Sequence, residues 1–255
     1  MKIFATRSLL CLVLANLFLL VSAAQQAPPP ASQAPQPDKT KGDADKKAQG
    51  KDGTSNDRLF YALPNFLTLE NTGQVPPLTV GQKFKVVTRG SFDYIQIPWY
   101  GFLSGISQAE DSEPGYGQGA QGYGKRFGAS FADGTIENYM TGAILPSLLH
   151  QDPRFFQSGQ GGFWHRTGYA VSRIFITRTD SGSQQFNYSE VFGSAASAAI
   201  STYSYHPQGD RTFSNTASVW GTQVGYDTIT IVVKEFWPDI RRKLRKKKKL
   251  PSETS

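Results

Sequence analysis

The sequence predicts a mainly α-helical fold, a compact multi-helix bundle with close helix packing at Gly and Ala. Apolar residues recur at helical spacing in several segments, a helix-start signal stands at Asn187, and small residues repeat every four positions. The rival is an outer-membrane β-barrel. Gly, Tyr, Phe and Thr are abundant, and Arg173 to Phe192 can be drawn as two strands around Asp180-Ser181-Gly182. Against the barrel, alternating segments are few, the Ala-rich run Ser194 to Ser201 is a poor strand, and a basic run stands where an aromatic closing strand belongs.

In chain order, Thr79 to Thr88 and Trp99 to Gln108 are the first helix candidates, the second following Pro98. Ile136, Tyr139, Met140, Ala143 and Ile144 form a helical stripe that Phe127 and Phe131 extend backward, from a start near Lys125 to an end or kink at Pro146. Trp164 to Arg178 sets Val171, Ile174 and Phe175 on one face before Asp180-Ser181-Gly182 breaks the run. At Phe186-Asn187-Tyr188-Ser189-Glu190-Val191, Asn187 caps a helix and Glu190 completes a capping box, with Phe186 and Val191 as a hydrophobic staple. That helix runs through Ala195, Ala199, Ile200 and Tyr203 to Tyr205-His206-Pro207. Ser214 to Phe236 is a long helix ending before Pro238, although its β-branched half, Thr228 to Val233, reads equally well as a strand. The pairs Gly101/Gly105, Gly115/Gly119, Gly124/Gly128 and Gly221/Gly225, with Ala195/Ala199, are the expected close-packing positions.

Four regions follow from composition. Residues 1–23 read as a signal peptide: Lys2 and Arg7, an apolar run, then Val21-Ser22-Ala23 as a cleavage site. An uncleaved anchor is the alternative, because Ser8 to Ala24 carries no charge. Cys11, the one cysteine, falls inside this region, so the remainder has no disulfide and no thiol nucleophile. Residues 24–57 form a Pro/Lys/Asp-rich linker with no aromatic and no branched aliphatic residue, expected to be disordered. Residues 58–240 hold the helical domain, and 241–255 form a basic tail, also expected to be disordered.

Charge is concentrated in that tail. The chain carries 27 Lys and Arg against 20 Asp and Glu, a net +7. Arg241, Arg242, Lys243, Arg245, Lys246, Lys247, Lys248 and Lys249 face only Glu253 within the tail, so the tail alone accounts for the whole excess. A nucleic-acid-binding face on the domain is therefore not supported. After export, the matching anions are lipid headgroups and lipopolysaccharide phosphates, and these eight residues are the expected anionic-surface contacts.

GYGQGAQGYGKRFG, residues 115–128, matches two phosphate-loop patterns, G-x-G-x-x-G and G-x-x-x-x-G-K. Its surroundings argue against a nucleotide. A polar, acidic segment precedes it where a buried strand is needed, and Arg126 follows Lys125 where Ser or Thr would reach magnesium. Catalytic patterns are sparse. His150-Gln151-Asp152 and Glu110-Asp111-Ser112-Glu113 lack the further spaced ligand of a metal site, so neither a metal nor a cofactor is expected.

Ser172-Arg173-Ile174-Phe175-Ile176-Thr177-Arg178 with Asp180-Ser181-Gly182, then Phe186-Asn187-Tyr188-Ser189, then Lys234-Glu235-Phe236-Trp237-Pro238-Asp239-Ile240 resemble an uncharacterised family of exported proteins from acidobacterium-like soil bacteria. The resemblance covers most of residues 58–243 and implies a Gram-negative envelope, with no activity to carry over. The expected function is a non-enzymatic envelope protein peripheral to an anionic membrane. The alternatives are an apolar-ligand or lipid-binding module, and an envelope hydrolase using His150 or His165 with Asp152 or Glu137.

Overall fold

The computed structural model describes residues 53–70 and 75–249, with side chains to Arg245. The signal region and linker residues 24–52 lie outside them. A short hairpin, β1 (Arg58–Leu59) and β2 (Leu63–Pro64), and strand β3 (Thr68–Leu69) precede helices α1 (Val80–Ser91) and α2 (Gln96–Glu110). Helix α3 runs Gly119–Tyr139, passes through a π-helical turn at Met140–Ile144 and closes as Leu145–Leu148. Then come β4 (Gln151–Asp152), β5 (Phe155–Phe156), α4 (Phe163–Phe175), a hairpin of β6 (Ile176–Thr179) and β7 (Gln184–Phe186), α5 (Tyr188–Ser204) and α6 (Phe213–Lys249). Helix α5 packs on both α3 and α6, α2 lies on α3, α4 lies on α6, and α1 packs on the π-helical turn. β3 pairs in parallel with β5, while β4, β6 and β7 form an antiparallel ribbon. The fold is the expected helical bundle, and the described strands close no barrel; the turn at Asp180 to Gly182 does carry a local hairpin.

Several helix starts follow from local chemistry. Thr79 and Gln82 make a reciprocal capping box on α1, with Gln82 N donating to Thr79 Oγ1 at 3.3 Å and Thr79 N to Gln82 Oε1 at 2.8 Å. Asn187 caps α5 by accepting from Glu190 N at 3.1 Å. The carboxyl of Glu190 turns toward Asp227 instead of back to the cap, and Phe186 packs its ring on Tyr188, 5.0 Å between centroids.

Helix α3 starts at Gly119, earlier than the glycine density suggests. Arg126, fully buried, collects the Gly117 carbonyl at 2.5 Å, the Glu113 carbonyl at 2.8 Å and Asp111 Oδ1 at 3.3 Å, tying the preceding loop onto the first turns. A Cβ on Gly122 would overlap the Gly117 carbonyl, so this approach needs glycine. Of the expected pairs, Gly115 packs against Pro207 and Gly101 lies close to the Tyr123 hydroxyl, each without its partner glycine, and further close packing falls on single glycines outside the pairs. Side chains at Gly105, Gly124, Gly128, Gly221 or Gly225 would meet open space. At Gly134 a Cβ would overlap the Tyr100 hydroxyl, and at Gly142 it would come within 2.7 Å of Val87 Cγ2.

The long C-terminal helix departs most from expectation. Thr228 to Val233 is helical, because Ile229, Val233 and Trp237 repeat at four-residue spacing and bury against Leu59 and Leu63. Pro238 does not end it. Proline removes the N–H that would bond the carbonyl four residues earlier, and that carbonyl, on Lys234, accepts from Gln157 Nε2. The next carbonyl, on Glu235, accepts from Arg166 Nη2 at 2.5 Å. Residues 241–249 consequently continue as helix where a disordered tail was expected, and cations in a last helical turn complement the helix dipole.

The boundary at residue 57 moves as well. Residues 53–57 belong to the fold: Ser55 N donates to the Phe66 carbonyl at 2.8 Å, and Asp57 Oδ2 accepts from Trp237 Nε1 at 2.8 Å. Phe60 and Tyr61 adopt left-handed backbone at φ 52° and 62°, and their rings lie 5.1 and 5.8 Å from Trp237.

Gln157→Ala orphans the Lys234 carbonyl, which costs roughly 1–3 kcal/mol in urea unfolding. Adding Pro238→Ala restores an N–H at that carbonyl, so the double variant recovers part of the loss.

Candidate functional site: a carboxyl-lined cleft

Because α3 and α6 both rest on α5, a cleft of about 1500 Å³ opens beside them and reaches α2 and α4. Its polar wall is built from helix periodicity. On α6, Gln223, Asp227 and Lys234 recur at four and seven residues and share one face. On α3, Asp133 and Glu137 do the same, and Glu190 joins them from the first turn of α5. Three carboxyls, Glu137, Glu190 and Asp227, thus arrive from three different helices with Lys234 beside them.

Their environment favours the neutral form. Burial first, and then Asp227 and Asp133, push the Glu137 carboxyl up to about 8. Burial and the Asp227 charge raise Glu190 well above the ordinary carboxylate range, and burial raises Asp227 too. Burial lowers Lys234, against the pull of Asp227 and Glu190. The Glu190 and Asp227 side chains interact with each other, and two carboxyls can share a hydrogen bond only when one of them carries a proton. These four groups line the cleft while being largely surrounded by protein atoms, so the carboxyls are poorly hydrated.

The histidines do other work. His206, buried, lies 3.3 Å from Asp133 Oδ2 through Nε2, while Nδ1 sits 3.2 Å from Glu113 Oε1, close but out of hydrogen-bond alignment. Burial opposes its charge, but these two carboxylates outweigh burial and push it up to about 10. Asp133 also accepts from Ser201 and Tyr205. His150 occupies a left-handed position, φ 52°, where its carbonyl accepts from Asp180 N. The His165 ring packs against Gly161.

Among the described residues, no hydrogen bond joins His150 or His165 to Asp152 or Glu137. Asp152 is held by Arg154, with Nε donating at 2.9 Å and Nη2 at 2.6 Å, and Glu137 faces carboxyls. The acidic run Glu110 to Glu113 is split: Asp111 accepts from Gln118 and Arg126, and Glu113 faces His206.

The basic residues divide into two groups. Arg241 pairs with Asp57 at 3.0 Å and Glu70 at 2.8 Å, and Arg242 pairs with Asp239. Lys243 also has an interaction within the protein. Arg245 is exposed, and Lys246, Lys247, Lys248 and Lys249 continue the helix beyond it. No described helix is long and apolar enough to cross a membrane. No family model, curated protein or solved structure matches the chain.

Two pH dependences follow. Glu137 titrates near 4.5 when unfolded and near 8 when folded, so wild-type stability falls as pH rises through that window. Glu137→Gln removes this group's share of the fall, leaving that of Glu190 and Asp227, and is more stable at pH 8.5 by roughly 1–3 kcal/mol in urea unfolding. His206 has the opposite sign for its charged form: its contribution is complete below 6.5 and is lost as pH rises toward 10. His206→Gln therefore loses about 1–2 kcal/mol at pH 6, and the difference from wild type closes as pH approaches 10.

Proposed function

We propose that the protein is an exported envelope component without catalytic activity, docked at the periphery of an anionic membrane by the end of α6. The observation that carries this reading is the continuation of α6 through Lys249. Arg245 to Lys249 follow Arg241 and Arg242, whose ion pairs hold them to the domain, and are five consecutive basic residues on this helical end. Near an anionic surface each basic residue contributes about 1 kcal/mol. Export and a Gram-negative envelope setting are part of the same proposal, supported by the signal-like residues 1–23 and by the resemblance of the Ser172 to Ile240 segments to exported proteins.

A second feature suits the reading. Ile97, Trp99 and Phe102 on α2 are 61%, 40% and 61% exposed, and aromatic side chains are favoured at a membrane interface.

Truncation after Leu244 leaves the ion pairs of Arg241 and Arg242 intact and removes the five terminal cations. Sedimentation with phosphatidylglycerol-containing vesicles at 50 mM salt should weaken at least about 100-fold, and wild-type binding should fall steeply by 500 mM salt. Undiminished binding of the truncated chain at 50 mM salt would remove the proposal.

A further inference from the structure

The carboxyl cleft is not used by membrane docking, and it carries its own chemistry. Glu137, Glu190 and Asp227 converge from α3, α5 and α6. Three buried oxygens beside them accept no hydrogen bond: Glu137 Oε1, Glu190 Oε1 and Gln223 Oε1. Gln223 is only 9% exposed, lines the cleft, and sits one turn before Asp227 on the same helix face.

Buried polar atoms are ordinarily paired. Gln223 Oε1 can only accept, and the two glutamate oxygens accept once their carboxyls are ionised, so the partner that fits all three is a donor with several N–H groups. Lys234 is the one cation on the α6 face of the cluster, fewer than the carboxyls around it. Part of the rim is different in character: Tyr100, Tyr226 and Ile229 give the cleft aromatic and apolar surface. Its volume, about 1500 Å³, exceeds that of an ordinary small-ligand pocket and leaves room for a chain-like molecule. A metal ion fits poorly, because no three His, Cys, Asp or Glu side chains among the described residues converge closely enough to hold one.

We propose that this cleft binds a linear aliphatic di- or polyamine, its ammonium groups donating to Glu137, Glu190, Asp227 and Gln223 and its methylenes lying along the aromatic rim. Binding draws the carboxyls into their ionised form, so it releases protons. The charged and titratable groups lining the cleft are Tyr100 and Glu110 on α2, Asp111 and Glu113 after it, Asp133 and Glu137 on α3, Asp152, Arg154 and Arg178 on and beside the β4 and β6 strands, Tyr169 and Arg173 on α4, Glu190 on α5, and Tyr226, Asp227 and Lys234 on α6. Of these, Glu137 is held up to about 8, and its raised position makes amine binding tighten as pH rises from 6 to 8.5.

Isothermal titration calorimetry of the intact chain with spermidine and with 1,5-diaminopentane tests this, with 1,5-pentanediol as the uncharged control. Expected results are saturable one-site binding at pH 8.5, at least about 10-fold weaker at pH 6, with release of about one proton per ligand at pH 7 across buffers of different ionisation enthalpy. Glu137→Gln with Asp227→Asn should weaken binding at least about 30-fold at pH 8.5, and Gln223→Leu should weaken it about 10-fold. The chain truncated after Leu244 should bind spermidine as wild type does, so a failure of membrane docking leaves this result standing. Equal affinity in wild type and the Glu137/Asp227 variant would overturn the proposal, as would heat with pentanediol matching that of the diamine. Should the double variant not fold, the absence of proton release and of pH dependence in wild type overturns it equally. Tighter binding of calcium than of either amine, lost in the same variants, would assign the cluster to a cation instead.

Discussion

The fold depends on how α6 survives Pro238. A proline in mid-helix leaves the Lys234 and Glu235 carbonyls without their helical partners, and Gln157 and Arg166 supply donors to both. Arg166 also donates to the Glu235 carboxylate at 2.8 Å and pairs with Asp239 at 2.6 Å. Glu235, fully buried, accepts in addition from the backbone N–H groups of Ser158 and Gly159, both at 2.9 Å. Removing Arg166 would leave an uncompensated buried carboxylate, a class of loss that costs about 3–5 kcal/mol. The same helical turn brings Trp237 and Arg241 onto Asp57, so one defect in a helix becomes the junction of the N-terminal segment, the β5–α4 connection and α6.

That junction exemplifies how the whole interior is held. The apolar clusters are small: Phe66, Val86, Val87 and Ala143 in one, Leu59, Val233 and Trp237 in another. Between them stand buried charges with several partners each. Lys83, 1% exposed, donates to the Pro146 and Gln151 carbonyls and to Asp180. Arg154 reaches Asp152, the Gly53 carbonyl and the Pro76 carbonyl. Each joins segments distant in sequence, and each satisfies loop carbonyls that packing alone would leave unpaired. At the Glu137, Glu190 and Asp227 cluster the pairing is less complete, with Glu137 Oε1, Glu190 Oε1 and Gln223 Oε1 unpaired in the wall of the cleft.

Much of the local structure was legible in the residues. Asn187 caps its helix, Tyr205-His206-Pro207 stops it, and the stripe from Phe127 to Ile144 lies on α3. The site was far less legible. Glu190 was readable as a capping-box residue because its spacing from Asn187 fits that role, and only the placement of α6 beside α5 shows its carboxyl meeting Asp227. Asp227 lies in a β-branched stretch with no motif around it. The usable signal was weaker: acidic residues on the inner faces of otherwise apolar helices, with Gln223 one turn away.

By itself the sequence determined the helical class, the helix starts with side-chain caps, the break at Asp180-Ser181-Gly182 and the concentration of positive charge after residue 240. These are short-range properties, set by hydrogen bonds and spacings within a few residues. It did not determine the strand Ile176–Thr179, which replaces the end of the expected helix Trp164 to Arg178. Tertiary structure decided whether Pro238 terminates or merely interrupts α6, which glycines pack closely, and which carboxyls face each other. Those outcomes depend on donors and neighbours dozens of residues away: Gln157 and Arg166 for the proline, Tyr100 for Gly134, and α3, α5 and α6 together for the cleft. A long-range partner leaves no periodic trace at the position it rescues.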